Sequence, residues 1–164
     1  MARRLRPVGL DFVQNAPVRH AFTATAAAPP ADLYRALAEE VAGWPRWFRA
    51  VTLARPTNGG AGREIKLVGG ARFQETIMAA DPEERYAYRV DETNVPGVRA
   101  LLEEWRLTPA GAGSGTDVRW TFAADGSAPF RLALTAARPG LGHSFRTAVR
   151  ALDLRLADER ATGH

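Results

Sequence analysis

A carboxylate in an apolar row is the feature of this sequence that points most directly to chemistry. Residues 99–107, RALLEEWRL, alternate as a β-strand does, and one face reads Leu101, Glu103, Trp105 and Leu107. A buried carboxylate without a partner is costly, so it protonates or finds hydrogen bonds. Either this row is solid core, or it lines a cavity in which Glu103 anchors a polar group or acts as a general acid or base.

The partner that the sequence predicts for Glu103 is Tyr88. Turns at DPEE, TNVPG and AGAGSG join antiparallel strands and fix their register. That register pairs Ile77 with Tyr88, Tyr88 with Glu103, and Glu103 with Phe122. Glu103 and Tyr88 are therefore the candidate catalytic residues, and a buried pair that satisfies only itself is the alternative.

The face that carries Glu103 is rich in apolar and aromatic side chains, whereas the opposite parity is mostly charged and predicts a face in water. An aromatic face of this kind lines a ligand cavity or forms a solid core. Glu75 shares the face but is about 12 Å from Glu103, too far to share a proton. Glu92 and Arg99 are predicted to pair at the rim. The predicted lining residues are Phe73, Glu75, Ile77, Tyr86, Val90, Leu101, Trp105, Trp120, Phe122, Phe130, Leu141 and Phe145.

The sequence contains no motif for a metal ion or a cofactor, and we predict neither. His20, His143 and His164 do not have the spacing of metal ligands. The segment GAGSGT runs into a predicted strand and contains no lysine, so it is a hairpin turn and not a phosphate loop.

The order of elements indicates an α+β fold. A strand over 18–26 is followed by a helix that begins at Pro30 and by a second short helix at GWPRWF, where Trp44 and Trp47 are expected to close one end. Six strands follow, and a final amphipathic helix carries an apolar stripe. The six strands are predicted near 50–56, 62–68, 72–80, 85–93, 99–108 and 116–124.

Composition fits one globular domain. The chain has 164 residues, 46% of them hydrophobic, and a formal net charge of +4. We expect residues 1–16 to be a flexible tail and 17–160 to be a single domain. The arginines are scattered, which indicates a solvated surface and not a nucleic-acid site. The sequence has neither a secretory signal pattern nor an apolar run long enough to span a membrane, so we expect a cytoplasmic protein.

Three segments resemble the polyketide cyclase/dehydrase branch of the START-like (Bet v 1-like, SRPBCC) superfamily. They are FTATAAAPPADLYRALAEEVAGWPRWFRAV at 22–51, ETIMAADPEERYAYRV at 75–90 and GTDVRWTF at 115–122. The resemblance covers about residues 18–158 and includes the last helix. It implies a helix-grip fold, in which a seven-stranded antiparallel sheet wraps around the long C-terminal helix, with two short helices between strands 1 and 2.

The resemblance also implies an internal apolar cavity whose mouth is ringed by loops at 68–72, 93–97 and 124–130. Ordinary hairpin turns require the same residues, so these loops have two interpretations. The branch has no universal catalytic motif, and fold alone does not decide activity.

Three functions follow, in order of preference. The first is binding or carriage of a hydrophobic small molecule, polyketide-, lipid- or isoprenoid-like, with Glu103 and Tyr88 as polar anchors. The second is a polyketide cyclase or aromatase that uses Glu103 as acid or base in an aldol cyclisation or dehydration. The third is a protein interaction through the arginine-rich sheet face. Homodimer formation is left open.

Overall fold

The computed structural model describes residues 1–163 and has the predicted α+β order. Its strands are β1 (Arg3–Arg4), β2 (Val18–Ala26), β3 (Val51–Thr57), β4 (Gly62–Leu67), β5 (Arg72–Asp81), β6 (Arg85–Thr93), β7 (Val98–Pro109) and β8 (Thr116–Gly126). Its α-helices are α1 (Phe12–Asn15), α2 (Pro30–Tyr34), α3 (Ala128–Ala136) and α4 (Arg138–Thr162). A π-helical turn, Arg35–Glu39, and a 3₁₀ helix, Val41–Arg46, follow α2.

One antiparallel sheet contains all the strands. Seven of them follow the order β2-β8-β7-β6-β5-β4-β3, and the two-residue β1 pairs with β6. The predicted register is confirmed at the centre, where Ile77 is opposite Tyr88, Tyr88 opposite Glu103, and Glu103 opposite Phe122. Tight hairpins set this register, as the sequence indicated.

Two β-bulges in β5 shift the register away from the prediction near its ends. They lie between Gln74 and Glu75 and between Ile77 and Ala79. Consequently Phe73 is opposite Thr93 and not Glu92, and Ala79 is opposite Ala87 and not Tyr86. At a bulge, two residues of one strand lie opposite one residue of the partner strand. No local sequence pattern in β5 predicts these positions.

Helix α4 packs across the aromatic face of the sheet, which completes the helix-grip arrangement. Phe145 is fully buried at the contact, and its ring centroid lies 5.8 Å from that of Trp120 and 5.6 Å from that of Trp105. Val149, Leu152 and other residues of the predicted stripe continue this core along the helix. The apolar stripe of α4 thus faces the core, as its helical periodicity predicts.

Two short helical segments between β2 and β3 close one end of the sheet. Pro30 is the first residue of α2, and Asp32 lies in its first turn. The indole of Trp44 donates a hydrogen bond to the Leu37 carbonyl at 3.0 Å, which fixes the 3₁₀ helix on the preceding helical turn. The rings of Trp44, Trp47 and Phe48 contact one another and Trp105.

The N-terminal segment is not the flexible tail that the sequence suggested. Leu5 and Val8 are buried, and α1 buries Phe12 and Val13 against Ala100, Leu102 and Ala123 on the outer face of the sheet. Part of that outer face is therefore covered and not in water. The buried Leu5, Val8 and Phe12 are spaced i, i+3, i+7, as on a helix. Pro7 and Gly9 interrupt the segment, and only Phe12–Asn15 is helical.

The predicted rim pair of Glu92 and Arg99 is also replaced. Arg4, from β1, lies opposite Glu92 and approaches it to 3.5 Å. The side chain of Arg4 is 90% exposed, so this contact contributes little to stability.

Within residues 1–163, no helix is both long enough and apolar enough to cross a membrane.

Candidate functional site

A cavity of about 200 Å³ lies between the sheet, the first turns of α4 and the segment that leads into β3. Several of its apolar wall residues, such as Leu67, Phe73 and Phe122, are only half-buried although they belong to the interior. Their remaining exposed surface faces a hollow and not a neighbouring side chain. The lining consists of Trp44, Phe48, Ala50, Val51, Arg63, Ile65, Leu67, Phe73, Glu75, Tyr88, Glu103, Trp120, Phe122, Leu141 and Ser144.

Part of the predicted site converges on this cavity. Both candidate catalytic residues, Glu103 and Tyr88, lie in its wall. So do the predicted lining residues Phe73, Glu75, Trp120, Phe122 and Leu141. Trp44, expected at the closed end, contributes to the same wall.

The other predicted lining residues lie elsewhere. Trp105 and Phe145 are packed in the solid core. Val90 and Leu101 belong to a second apolar cluster, which Phe130 joins from α3. Ile77 and Tyr86 line a separate pocket of about 180 Å³ next to the π-helical turn. The aromatic face is thus divided, one part core and one part cavity wall.

The pair Tyr88 and Glu103 is connected to two tryptophans. The Tyr88 hydroxyl donates a short hydrogen bond to Glu103 Oε2 and accepts one from Trp105 Nε1 at 3.1 Å. Trp120 Nε1 donates to the same Glu103 oxygen at 3.2 Å. The Glu103 carboxylate is therefore held in one orientation on the cavity wall, as a positioned acid requires.

Arg63 and Glu75 form a second polar group in the wall. They face each other across β4 and β5, and Arg63 Nε donates to Glu75 Oε2. Their side chains are only 2% and 4% exposed. The guanidinium carbon of Arg63 lies 3.7 Å from the ring centroid of Tyr88 and 4.3 Å from that of Trp44. Aromatic faces stabilise a desolvated cation, so these rings offset part of its burial.

Burial perturbs the protonation of this group of residues. Desolvation raises the pKa of Glu75 to about 7, although Arg63 opposes the shift. Desolvation also raises the pKa of Glu103, against the hydrogen bond from Tyr88 and the charge of Arg63. The pKa of Tyr88 is raised well above its ordinary value by burial and by Glu103, which keeps the phenol protonated as a donor. Both carboxyl groups are thus able to hold a proton nearer neutrality than in water.

One donor of the wall has no partner. Nη1 of Arg63 is buried and makes no hydrogen bond within residues 1–163. Buried polar atoms are nearly always satisfied by protein, water or a ligand. The hydroxyl of Tyr86 is also buried without a hydrogen bond in this part of the chain, and the Tyr86 ring centroid lies 5.6 Å from the guanidinium carbon of Arg63, so Nη1 is enclosed by protein and does not open onto the cavity.

Sequence reasoning missed Arg63, although the signal was present. Arg63, Ile65 and Leu67 share one parity in β4, so a cation stands in an apolar row just as Glu103 does in β7. The scattered arginines of the sequence favoured a surface role for all of them. An explicit test of each arginine against strand alternation would have separated Arg63 from the rest.

The predicted mouth loops contact one another. The Asn94 side chain accepts from the Arg72 backbone NH at 2.8 Å and donates to the Gly70 carbonyl at 3.0 Å, which joins the loops at 68–72 and 93–97. The Ser127 NH donates to the Gly97 carbonyl at 2.8 Å, which joins the second loop to the start of α3. The three loops are therefore connected, but none of their residues lines the cavity, so their role as its mouth stays a prediction.

Comparison with solved structures shows the same fold in proteins of low sequence identity. The protein XoxI from Bacillus cereus has a TM-score of 0.70 and 14% identity, over 87% of this chain and 98% of that one. A START superfamily protein from Mycobacterium smegmatis gives 0.68 and 11%, over 85% and 97%. The ZhuI aromatase/cyclase from Streptomyces sp. R1128 gives 0.68 and 20%, over 88% and 95%.

No protein of curated function matches the sequence. A protein family does match it over residues 18–157, which is most of the chain, and the family is described as polyketide cyclase/dehydrase and lipid transport. The confirmed helix-grip fold and the cavity agree with that match. The chain therefore belongs to the polyketide cyclase/dehydrase and lipid transport family.

Proposed function

We propose that this protein binds and carries one hydrophobic small molecule in its internal cavity. The observation that carries the proposal is the composition of the wall, which is apolar and aromatic except for two fixed polar groups, Arg63 with Glu75 and Tyr88 with Glu103. Small-molecule sites in proteins commonly combine an apolar pocket with a few positioned polar groups.

The wall also limits the chemistry of the ligand. Its body is hydrophobic, because Phe73, Phe122 and Leu141 offer only dispersion and burial. One polar group on it pairs with Glu103, which lies in the wall and is held there by Tyr88. A carbonyl or hydroxyl group of a polyketide-, lipid- or isoprenoid-like molecule fits this requirement.

The size of the cavity favours a compact ligand. Its volume of about 200 Å³ is below the roughly 300–1,000 Å³ usual for pockets that take drug-sized molecules. A longer ligand requires movement of the half-buried wall residues, such as Leu67 or Phe73.

Native mass spectrometry of the purified protein tests this proposal. We expect an added mass under non-denaturing conditions that is lost on denaturation and extracts into organic solvent. A protein that carries no added mass, and that also fails to bind a hydrophobic fluorescent probe, would overturn it.

A cyclase or aromatase is the second candidate, and Glu103 is the observation that favours it. Its carboxylate lies on the cavity wall, is oriented by Tyr88 and Trp120, and has a raised pKa. A carboxyl group in that state is suited to general acid or base work on an enolisable carbonyl.

Glu103→Gln separates the two candidates. The amide keeps the size of the side chain and removes its ability to exchange a proton. With a poly-β-ketone thioester analogue as probe, an enzyme loses turnover and keeps most of its affinity. A carrier shows no turnover in either form, and the variant changes affinity alone.

A further inference from the structure

Helix α3 is an apolar helix that lies mostly on the surface. Of its nine residues only Leu134 is buried, while Leu132 is 73% exposed. Its one charged residue is Arg131, and the helix contains no acidic residue. A helix of this composition usually buries an apolar face against a partner.

Beside α3 runs an apolar surface groove of about 590 Å³. One wall is α3, with Phe130, Ala133 and Leu134, and the other is the loop with Val95 and Pro96. In the described chain, residues 1–163, the lining of this groove carries no charged side chain. An exposed apolar patch of this kind on a monomer marks an interaction surface.

Three exposed arginines flank the groove. Arg131 lies in α3 and Arg138 is the first residue of α4, and neither forms an ion pair with any described residue. Across the groove, Arg3 donates to the Val95 carbonyl at 2.7 Å.

Nearby acidic groups are already paired. Glu92 contacts Arg4, and Asp125 contacts Arg6. Between Asp125 and Asp153 the sequence contains four arginines and no Asp or Glu. The three flanking arginines therefore leave a net positive charge beside the groove.

The groove and the internal cavity border one apolar cluster. Leu134 of α3 belongs to this cluster and lines the groove. Phe73, Phe122 and Leu141 pack against the same cluster and line the cavity. Helix α3 is therefore linked to the cavity wall through packed apolar side chains.

We propose that α3, the adjoining groove and the flanking arginines form a docking surface for a bilayer that contains anionic phospholipids. Leu132 and the apolar side chains that line the groove insert at the boundary between headgroups and acyl chains. Arg131 and Arg138 lie at the level of the phosphates. Interfacial helices have this combination of an apolar face and basic flanks. The surface stands independently of which ligand the cavity holds, and it places the cavity wall against a source of hydrophobic molecules.

A lipid surface fits better than an acidic protein face for one reason. Arginines alone would suit either partner, but the exposed surface of α3 apart from Arg131 is mostly apolar. A bilayer offers phosphates and, directly beneath them, hydrocarbon. An acidic protein face satisfies only the arginines.

Vesicle flotation with the whole protein tests the proposal. We expect binding to phosphatidylcholine vesicles that contain phosphatidylglycerol, and none to pure phosphatidylcholine. Leu132→Ser should weaken binding by about tenfold, because it removes apolar burial. Arg131→Gln and Arg138→Gln should each weaken it by about fivefold.

Matched controls come from exposed residues that line neither α3 nor the groove. Leu154 is 61% exposed on α4, and Arg119 is exposed on β8. Leu154→Ser and Arg119→Gln should leave binding unchanged, and all variants should melt as the parent does because every altered side chain is exposed.

Several results would overturn the proposal. The protein could fail to bind anionic vesicles, or bind neutral vesicles as well as anionic ones. The control variants could also lose as much binding as the variants of α3 and Arg138. Full binding by Leu132→Ser together with loss of binding in high salt would also overturn it, since attraction by charge alone is what an acidic protein face provides. Probe binding in the absence of vesicles is unaffected by any of these outcomes, so failure here is distinct from failure of the cavity proposal.

Discussion

Arg63 and Glu75 form an ion pair inside the protein, where the two side chains are 2% and 4% exposed. Taking two charges out of water is expensive, and the pair repays that cost only through its geometry and through the aromatic rings around the guanidinium. Such a pair at the wall of a cavity serves the cavity more than the stability of the fold. Two consequences of this arrangement can be measured.

Breaking this pair on one side should be costly, whereas replacing both partners should not. Arg63→Met leaves the Glu75 carboxylate buried alone, and we expect the free energy of unfolding to fall by about 3–5 kcal/mol at about pH 8. The double variant Arg63→Met, Glu75→Leu should recover most of that loss. Urea denaturation of the two single variants and the double variant measures the coupling. Additive losses would show that the two residues do not act as a pair.

The stability of the protein should decrease as pH rises from about 4.5 to about 7. Burial gives Glu75 a pKa of about 7 in the folded protein, against 4.5 as its ordinary value. The native state thus binds this proton more tightly than the unfolded chain does, and the free energy of unfolding falls while the proton is lost. The raised pKa of Glu103 acts in the same direction.

Urea midpoints across this pH range measure the effect, with Glu75→Gln as the matched variant. Glutamine does not titrate, so the variant should have a flatter profile even though it loses the ion pair. A parent protein whose stability rises with pH over this range would contradict the prediction.

Two neighbouring tyrosines should respond differently to loss of the hydroxyl. Tyr88 donates to Glu103 and accepts from Trp105, whereas the Tyr86 hydroxyl is buried with no partner in residues 1–163. Tyr88→Phe should cost about 1–3 kcal/mol, and Tyr86→Phe should be near neutral or stabilising. Thermal unfolding of both variants provides the comparison. Equal losses would mean that the bonds of Tyr88 add nothing.

Two glycines, in the loops at 68–72 and 93–97, test whether the contact between the second loop and α3 matters for stability. Gly97 has φ of +84°, and a Cβ there would lie 2.7 Å from Ser127 Oγ and 3.0 Å from Phe130 Cβ. Gly69 has φ of +93° but open space around it. Gly69→Ala should cost only the backbone preference, about 1–2 kcal/mol, and Gly97→Ala more. Similar melting temperatures for the two variants would show that the contact with α3 is dispensable.

The central part of the site could be predicted because short hairpins fix which residues face one another. The rows through Tyr88, Glu103 and Phe122 follow from turn positions and strand alternation alone. The sequence does not show whether an interior residue is fully packed or borders a cavity. Periodicity assigns Phe145 and Phe122 to the interior alike, but only three-dimensional packing decides that Phe145 is solid core and that Phe122 borders a hollow.

Features that depend on contacts distant in the sequence were missed. Arg63 meets Glu75 across two strands, and its burial depends on Trp44 and Tyr88 arriving from other elements. The N-terminal segment packs through Leu5, Val8 and Phe12, whose spacing is that of a helix although residues 5–9 are not helical. The bulges in β5 shift its register against β6, and the sequence of one strand does not show where its partner pairs.

Titration of the protein with a compact hydrophobic fluorophore, 1-aminoanthracene, tests the central claim most directly. Ala50 lines the cavity, and Leu154 is exposed on α4. The account predicts one bound fluorophore per chain in the parent and in Leu154→Phe, and loss of binding in a folded Ala50→Phe variant, whose ring fills the hollow. Unchanged binding by Ala50→Phe would place the fluorophore outside the cavity and contradict the account.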